Sequence, residues 1–204
     1  MLDLPSLLKG ALLGTLTRGE IDRAVEHHWG AGDFVHHLPP AWIPALPAPR
    51  RRAKRYGLDG QLVTDVLYGD EGAPGCLLIT TPSQGPYDRR LVRLLVPPHT
   101  HHSAHITVVT RGHALFLVAR RQPWGAELIT AAMGPGSLVF YPSGVAHTFA
   151  SDEEFEVVSL QAAYKEPERP DFAAPSALRF DRLPRVSYEE HRRRQGVEGA
   201  LCRP

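Results

Sequence analysis

The chain has 204 residues, with 23 lysines and arginines against 22 aspartates and glutamates, and 43% of its residues are hydrophobic. This composition is typical of one globular domain with modest extensions and excludes disorder throughout the chain. A net charge of +1 provides no overall field for a polyanion. The basic run at residues 50–55 has no interleaved aromatic side chains for stacking bases, so we expect no nucleic-acid partner.

The cysteines and the N-terminus predict a cytoplasmic protein. Cys76 and Cys202 are the two cysteines, and neither lies in a C-x-x-C pattern. The leucine-rich start of the chain is interrupted by Gly10 and Gly14 and is too short to span a bilayer. We therefore expect no targeting signal and no membrane partner.

The first sixty residues predict an N-terminal helical arm. Thr17-Arg18-Gly19-Glu20 resembles a capping box, which predicts a helix that begins near Arg18. One face of this helix carries Ile21, Ala24, Val25 and His28. Five prolines between residues 38 and 49 then indicate an extended connector.

From residue 61 onward, short β-branched segments alternate with Gly, Pro and Asp, which predicts an all-β domain over residues 61–165. The predicted strands are Leu62–Leu67, Cys76–Thr80, Arg90–Val96, His105–Thr110, His113–Ala119, Ala126–Ala131, Ser137–Tyr141, His147–Ala150 and Phe155–Tyr164. Residues 166–204 are rich in proline, arginine and glutamate, and they predict an irregular C-terminal tail.

Six of the eleven histidines fall in the β region. Residues two apart in a strand share a face, so His99 and His101 can aim at one point while His102 points the other way. His105 has the same parity as His101. Neutral imidazoles that converge in this way suit zinc, iron, copper, nickel or manganese.

The spacing of these residues resembles the two motifs of the cupin superfamily. The first motif corresponds to His99-Thr100-His101, then His105 where most metal-binding cupins have a glutamate, then Gly112. The second corresponds to Gly136, Pro142-Ser143-Gly144 and His147. Gly112 suits a turn with positive φ, and the Pro142–Gly144 turn would bring His147 back toward the first motif.

The resemblance implies a double-stranded β-helix, the cupin jelly roll, between the helical arm and the tail. It also implies one divalent transition metal per chain, held by His99, His101, His105 and His147. We expect iron, with manganese, copper, nickel and zinc left open. Cupins commonly pair through their N-terminal arms, so the resemblance further implies a homodimer.

Four neutral imidazoles leave a divalent ion with its full charge, which favours an anionic ligand. We therefore expect a metal-dependent dioxygenase or related oxidoreductase that acts on a small anionic or enolisable substrate. Two alternatives stay open, since the fold alone does not select a reaction. The first is a non-redox isomerase, cyclase or lyase, and the second is a cupin that binds a small ligand without turnover.

Other residues are weaker candidates. Tyr141 and Gln161 could supply a polar group to the cavity, and Arg93 could bind a substrate carboxylate. Thr107 and Val109 are expected to point inward. Leu115 with Leu117, or alternatively Phe116, would complete the apolar lining, and His102 and His113 are predicted not to be ligands.

Overall fold

The structure is a computed structural model that describes residues 2–52, 63–81, 98–122, 125–151, 153–165 and 193. The helices of this part of the chain are α1 (Leu4–Leu13), α2 (Arg18–Ala31) and a 3₁₀ helix (Pro40–Trp42). Its strands are β1 (Val35–His37), β2 (Arg51–Arg52), β3 (Val63–Tyr68), β4 (Gly75–Thr81), β5 (His105–Arg111), β6 (Ala114–Gln122), β7 (Gly125–Met133), β8 (Ser137–Tyr141), β9 (His147–Ala150) and β10 (Phe155–Gln161). The strand predicted over residues 90–96 lies outside the described residues, as does all of the tail except residue 193.

Helix α2 begins at Arg18, as the capping box predicts. The backbone N–H of Glu20 donates to the Thr17 hydroxyl at 3.3 Å, and the Thr17 backbone N–H donates to the Glu20 carboxylate at 2.8 Å. The helix buries Ile21, Ala24 and Val25, which confirms three positions of its predicted face. This face packs on β8 and β5, so the helix covers the outside of the sheet that carries the histidines.

The strands form two antiparallel sheets. The larger sheet has the order β1-β8-β5-β10-β4-β3-β2, and the smaller has the order β7-β6-β9. Four of the six neighbouring pairs in the larger sheet join strands that are not consecutive in sequence, as in a jelly roll whose strands cross between layers. The all-β jelly-roll prediction is confirmed, and β8 and β9 have the predicted bounds.

Two short strands lie where the sequence predicted only the arm and its connector. Val35 of β1 pairs with Val139 of β8, and Arg51 of β2 pairs with Val66 of β3. The backbone N–H of Phe140 also donates to the Phe34 carbonyl at 2.9 Å. Such strands are stabilised by partners far along the chain, and three or fewer residues give no detectable alternation.

Strand β10 ends at Gln161, so the prediction that it continues to Tyr164 is wrong. Beyond that point the backbone N–H of Ala162 donates to the Ala104 carbonyl at 2.9 Å. The backbone N–H of Tyr164 donates to the Ala73 carbonyl at 2.6 Å. Both bonds leave the ladder for loop partners, and the apolar sequence reflects burial rather than strand pairing.

The two motif glycines occupy turns that side chains disfavour. Gly112 has a φ of 76° and Gly136 a φ of 89°, both in the left-handed region. A Cβ at Gly112 would collide with the carbonyl oxygen of Glu154, and one at Gly136 with the carbonyl oxygen of Leu38. The turn predicted at Gly112 is confirmed, and the close packing at both positions explains why glycine stands there.

The main core joins the helices to the barrel. Leu8 and Leu12 of α1 and Val25 of α2 belong to the same buried cluster as Phe116 and Phe140 of the sheets. This continuous apolar contact fixes the N-terminal helices against the larger sheet. A helix with the length and hydrophobicity needed to cross a membrane is not found among the described residues.

Candidate metal centre

The two motifs meet through their backbones. His99 and His147 form an antiparallel bridge in which each backbone N–H donates to the other's carbonyl, at 3.1 and 3.0 Å. The Gly144 N–H and the Ser143 hydroxyl both donate to the His101 carbonyl, at 2.9 and 3.2 Å. The Pro142–Gly144 turn therefore holds the segment from His99 to His101 in place beside His147.

Three imidazoles converge at this point. His99, His101 and His147 each offer a ring nitrogen, and these atoms all lie within 4.8 Å of one another. The Nε2 atoms of His99 and His101 are 3.1 Å apart. Two nitrogens bound at right angles to one ion, with bonds of about 2.1 Å, would be about 3.0 Å apart. The spacing therefore suits a shared transition-metal ion.

Backbone carbonyls set the tautomers of two histidines. His147 Nδ1 lies 2.9 Å from the Val145 carbonyl, and His105 Nδ1 lies 2.9 Å from the Ser103 carbonyl. A carbonyl only accepts, so each Nδ1 carries the proton and donates it. Each Nε2 is then left with a free lone pair, which is the arrangement that outer hydrogen bonds impose on metal-binding imidazoles.

His105 lies directly against the three-histidine group. Its ring stacks on His101 with centroids 3.9 Å apart and planes at 23°, and its side chain is fully buried. Among the described residues, its Nε2 has no hydrogen-bond partner. A buried acceptor without a partner is costly, and metal coordination would satisfy it. The nitrogen of His105 is not a member of the group within 4.8 Å, so its role as fourth ligand stays a prediction.

The site keeps its imidazoles neutral. Burial lowers the pKa of His105 to about 3. Burial, reinforced by the neighbouring imidazoles, also holds the pKa of His101 and of His147 well below the usual value. Neutral imidazole is the metal-binding form, so the group is ready to coordinate at neutral pH without losing protons first.

Tyr141 and Phe116 form one wall of the centre. The Tyr141 ring lies 5.4 Å from the His105 ring and 4.2 Å from the His147 ring, between centroids. Its hydroxyl is hydrogen-bonded to the Thr107 hydroxyl at 2.8 Å. Phe116 lies 5.9 Å from His147, so it supplies the apolar wall. Thr107 points inward as predicted, while the sequence did not reveal that it binds Tyr141.

Leu115 and Leu117 belong to a separate cluster on the other face of β6. Of the two lining alternatives left open by the sequence, the structure therefore selects Phe116. Parity along β6 could not decide this, because nothing in that strand marks which face meets the histidines. In the folded chain, Phe116 pairs with Phe149 of β9, and this register puts Phe116 on the face that carries His147.

The remaining candidates are not members of the converging group or lie beyond the described residues. The Gln161 side-chain oxygen accepts from the Lys165 backbone N–H at 3.2 Å, which closes the turn after β10. His102 is exposed, and His113 is bound to the Glu153 carboxylate at 2.8 Å. Neither belongs to the converging group. Arg93 lies outside the described residues.

Comparisons with known proteins give one family match and several solved structures of similar fold. Residues 82–164 match the family described as AraC-like ligand binding domain, a span that contains both motifs. No curated protein sequence matches the chain. Solved structures similar in fold include a cupin-2 domain from Rhodospirillum rubrum, with 16% identity, a TM-score of 0.41, and coverage of 70% of this chain and 76% of that one.

Two further structures extend the comparison. An RmlC-like cupin from Shewanella frigidimarina has 14% identity, a TM-score of 0.41, and coverage of 58% of this chain and 88% of that one. A variant of oxalate decarboxylase from Bacillus subtilis has 14% identity and a TM-score of 0.44. The match covers 69% of this chain and 32% of the decarboxylase, so the chain spans about a third of that protein.

The fold is a jelly roll in which two histidine motifs that resemble those of cupins meet at one buried point. The family match covers less than half of the chain, and the family is described as an AraC-like ligand binding domain.

Proposed function

We propose that this protein is a metal-dependent cupin enzyme, and that its reaction is that of a dioxygenase or related oxidoreductase. The observation that carries the proposal is the convergence of three buried or half-buried imidazole nitrogens within 4.8 Å. Imidazole groups of this kind in a barrel interior are the donor set that first-row transition metals prefer. When bound, the ion would supply Lewis-acid and one-electron chemistry to a substrate at the site.

We propose His105 as the fourth ligand and iron as the native ion. His105 supports this role because its Nε2 lone pair is buried without a partner and its ring already contacts His101. Manganese, copper, nickel and zinc suit the same nitrogen donors, since imidazole discriminates weakly among them. A carboxylate is missing from the proposed ligand set, so the ion would keep its full positive charge.

The charge of the site defines the substrate class. A divalent ion among neutral imidazoles attracts an anion, so we propose a small carboxylate, enolate or phenolate as substrate. His101 is partly exposed, whereas His147 is buried, so the substrate would approach from the side of His101. Phe116 excludes water behind the histidines and strengthens electrostatic interactions there.

Tyr141 is the polar group best placed to act on a bound substrate. Its ring contacts His105 and His147, and its hydroxyl bonds to that of Thr107. Either hydroxyl can donate, so this pair could pass a proton between two oxygens without charging the interior. We propose that Tyr141 orients the substrate and holds a proton beside it.

A ligand-binding role is the second candidate. The observation that favours it is the match of residues 82–164 to a family described as a ligand binding domain. In that case the same charged site would hold an anionic small molecule without turnover. A non-redox isomerase, cyclase or lyase would use the same residues with a metal such as zinc or nickel.

Two further expectations belong to this proposal. We propose a homodimer, since β1 and β2 are the outer strands of the larger sheet among the described residues and could pair with a second copy. We also propose a cytoplasmic protein whose buried Cys76 stays reduced. Light scattering coupled to size-exclusion chromatography measures the molar mass in solution and so tests the homodimer directly.

Oxygen uptake tests the enzyme proposal. The protein reconstituted with ferrous iron should consume oxygen with a member of a panel of small enolisable or phenolic acids. The His101→Gln variant should consume no oxygen under the same conditions. The His102→Gln variant changes an exposed neighbour and should behave as the wild type. Tight binding of an acid without oxygen uptake would favour the ligand-binding role. Conversion without oxygen uptake would favour the non-redox enzyme.

A further inference from the structure

A second pair of histidines meets outside the barrel centre. His28 lies in the last turn of α2 and His36 in β1. The Nδ1 atom of His28 and the Nε2 atom of His36 are 2.9 Å apart, and both side chains are partly buried. His28 belongs to the helix face predicted from the sequence and His36 to the N-terminal arm, and nothing in the barrel centre uses them.

This pair has nearly the geometry of the first two histidines of the barrel centre. His99 and His101 have nitrogens 3.1 Å apart, ring centroids 4.7 Å apart and planes at 86°. His28 and His36 have nitrogens 2.9 Å apart, ring centroids 4.5 Å apart and planes at 75°. The two pairs therefore have similar nitrogen separations, ring separations and plane angles, although His28 uses Nδ1 where the barrel pair uses Nε2 on both rings.

The distances show that the two rings are aimed at a common point. Imidazoles that bind one ion at right angles, with bonds of about 2.1 Å, have ring centroids about 4.6 Å apart. A straight N–H···N hydrogen bond of the observed length would place the centroids about 5.2 Å apart. The observed 4.5 Å is shorter than a straight bond gives, so the hydrogen bond between these two nitrogens is bent, and an ion could take the place of its proton with little movement of the rings.

The donors and their spacing indicate a class of metal. The 2.9 Å between the two nitrogens, which are joined by a hydrogen bond, is closer to the spacing of two donors at right angles on one ion than to the about 3.4 Å that tetrahedral zinc would need. Right-angle pairs of nitrogen donors are typical of copper(II) and nickel(II) in square-planar or octahedral sites. The ion would complete its coordination with water, because these two side chains supply only two protein donors.

The surroundings hold the pair in place. Both rings rest on Phe140, with ring centroids 4.3 Å away for His28 and 5.6 Å for His36. The Asp33 carboxylate lies 3.8 Å from Nδ1 of His36, on the side of the ring away from His28. A carboxylate behind a coordinating imidazole is a common outer partner in metal sites, and it adds negative charge near the ion.

We propose that His28 and His36 form a second transition-metal site, for copper(II) or nickel(II), that links α2 to β1. The two ligands come from elements that pack on the same strand, β8, so the ion would fix the helix to the edge of the sheet. The site lies on the outer side of β8, where Phe140 points, and the barrel centre lies on the inner side, where Tyr141 points.

Nickel binding to the full chain tests this proposal. After equilibrium dialysis against Ni²⁺ and removal of loose metal, the wild type should keep one more ion per chain than His28→Gln and His36→Gln. The matched control His27→Gln removes a neighbouring exposed histidine of the same helix and should retain the ion. Circular dichroism without metal establishes that each variant is folded.

A second readout separates a built site from adventitious binding. Nickel should raise the melting temperature of the wild type and of His27→Gln, and this rise should shrink in His28→Gln and His36→Gln, because an ion that binds only the folded state stabilises it. Equal nickel content in the wild type and in both pair variants would overturn the proposal. So would an equal rise in their melting temperatures.

The result does not depend on the barrel centre. His101→Gln weakens the barrel site alone and should leave the ion at His28 and His36 in place. If the barrel binds no metal, the wild type should still exceed the two pair variants by one ion. A failure of the proposed function and a failure of this site therefore give different patterns.

Discussion

His99 and His147 exchange both backbone hydrogen bonds, at 3.1 and 3.0 Å, although they belong to different motifs. This bridge fixes the backbone positions from which two imidazoles of the candidate site project. The site is therefore a property of the barrel framework, and the side chains need little rearrangement to meet. Preorganisation of this kind lowers the entropic cost of binding an ion.

Replacing His101 should remove the metal while leaving the fold intact. His101 is the partly exposed member of the three-histidine group, so His101→Gln leaves no large cavity. Loss of a ligand should lower metal affinity by at least about 100-fold, since even outer partners of ligands cost about 10–100-fold. Isothermal titration with the metal measures this, with His102→Gln as the exposed control. Equal affinities in the two variants would contradict the assignment of His101.

The metal-free protein should lose stability in mild acid. The pKa of His105 is about 3 in the folded chain and near 6.5 when unfolded, so between these values the unfolded state binds more protons. Its contribution is fully present above pH 6.5 and is lost as the pH falls toward 3. At pH 5 this loss is about 2 kcal/mol from His105 alone, and the lowered pKa values of His101 and His147 act in the same direction.

Urea unfolding at a series of pH values measures this effect. Bound metal should protect the protein, because protons and metal compete for the same nitrogens. The His105→Phe variant should show a weaker loss between pH 6.5 and 5 than the wild type. An identical slope in the two proteins would show that His105 does not carry the effect.

Gly112→Ala should destabilise the barrel strongly. Its φ of 76° costs a side chain about 1–2 kcal/mol. The added Cβ would also collide with the Glu154 carbonyl, so we expect a loss of at least about 2 kcal/mol in unfolding free energy. Gly30→Ala is the matched control, because Gly30 lies in α2 with nothing within 4 Å of the added Cβ. That control should gain about 0.5–1 kcal/mol, and a similar loss in both variants would contradict the argument.

The pair formed by Tyr141 and Thr107 should behave as a coupled unit. Tyr141→Phe and Thr107→Val each leave one buried hydroxyl without the partner seen in the structure, which should cost about 1–3 kcal/mol. The double variant removes both polar groups, so its loss should be smaller than the sum of the single losses. Urea unfolding measures the stabilities, and metal content should stay at the wild-type value in all three. Strictly additive losses would mean that the hydroxyl pair is not coupled.

The sequence predicts best the features that depend on residues close together in the chain. The capping box locates the start of α2 at Arg18, and the glycine of the first motif locates the turn at Gly112. Strands β8 and β9 have the predicted bounds because short apolar runs between turn residues define them. His99 and His101 do converge and His102 is exposed, but residues 100–104 form no strand, so the parity on which that prediction rested does not apply there.

What the sequence does not reveal depends on contacts between distant segments. The pairing of Val35 with Val139 creates β1, and β1 in turn brings His36 to His28. The choice of Phe116 as a wall of the centre depends on its partner Phe149 across the small sheet. Neither relationship has a signal in spacing or composition, because each is decided by packing in the folded chain.

Elemental analysis of protein purified without added metal is the most direct test of the barrel site. The reference protein is the His28→Gln variant, in which the second pair does not contribute, and we expect it to contain about one equivalent of a transition metal. We also expect a clear reduction when His105→Ala is added. A protein that contains no transition metal, and that takes up none on reconstitution at neutral pH, would contradict the account.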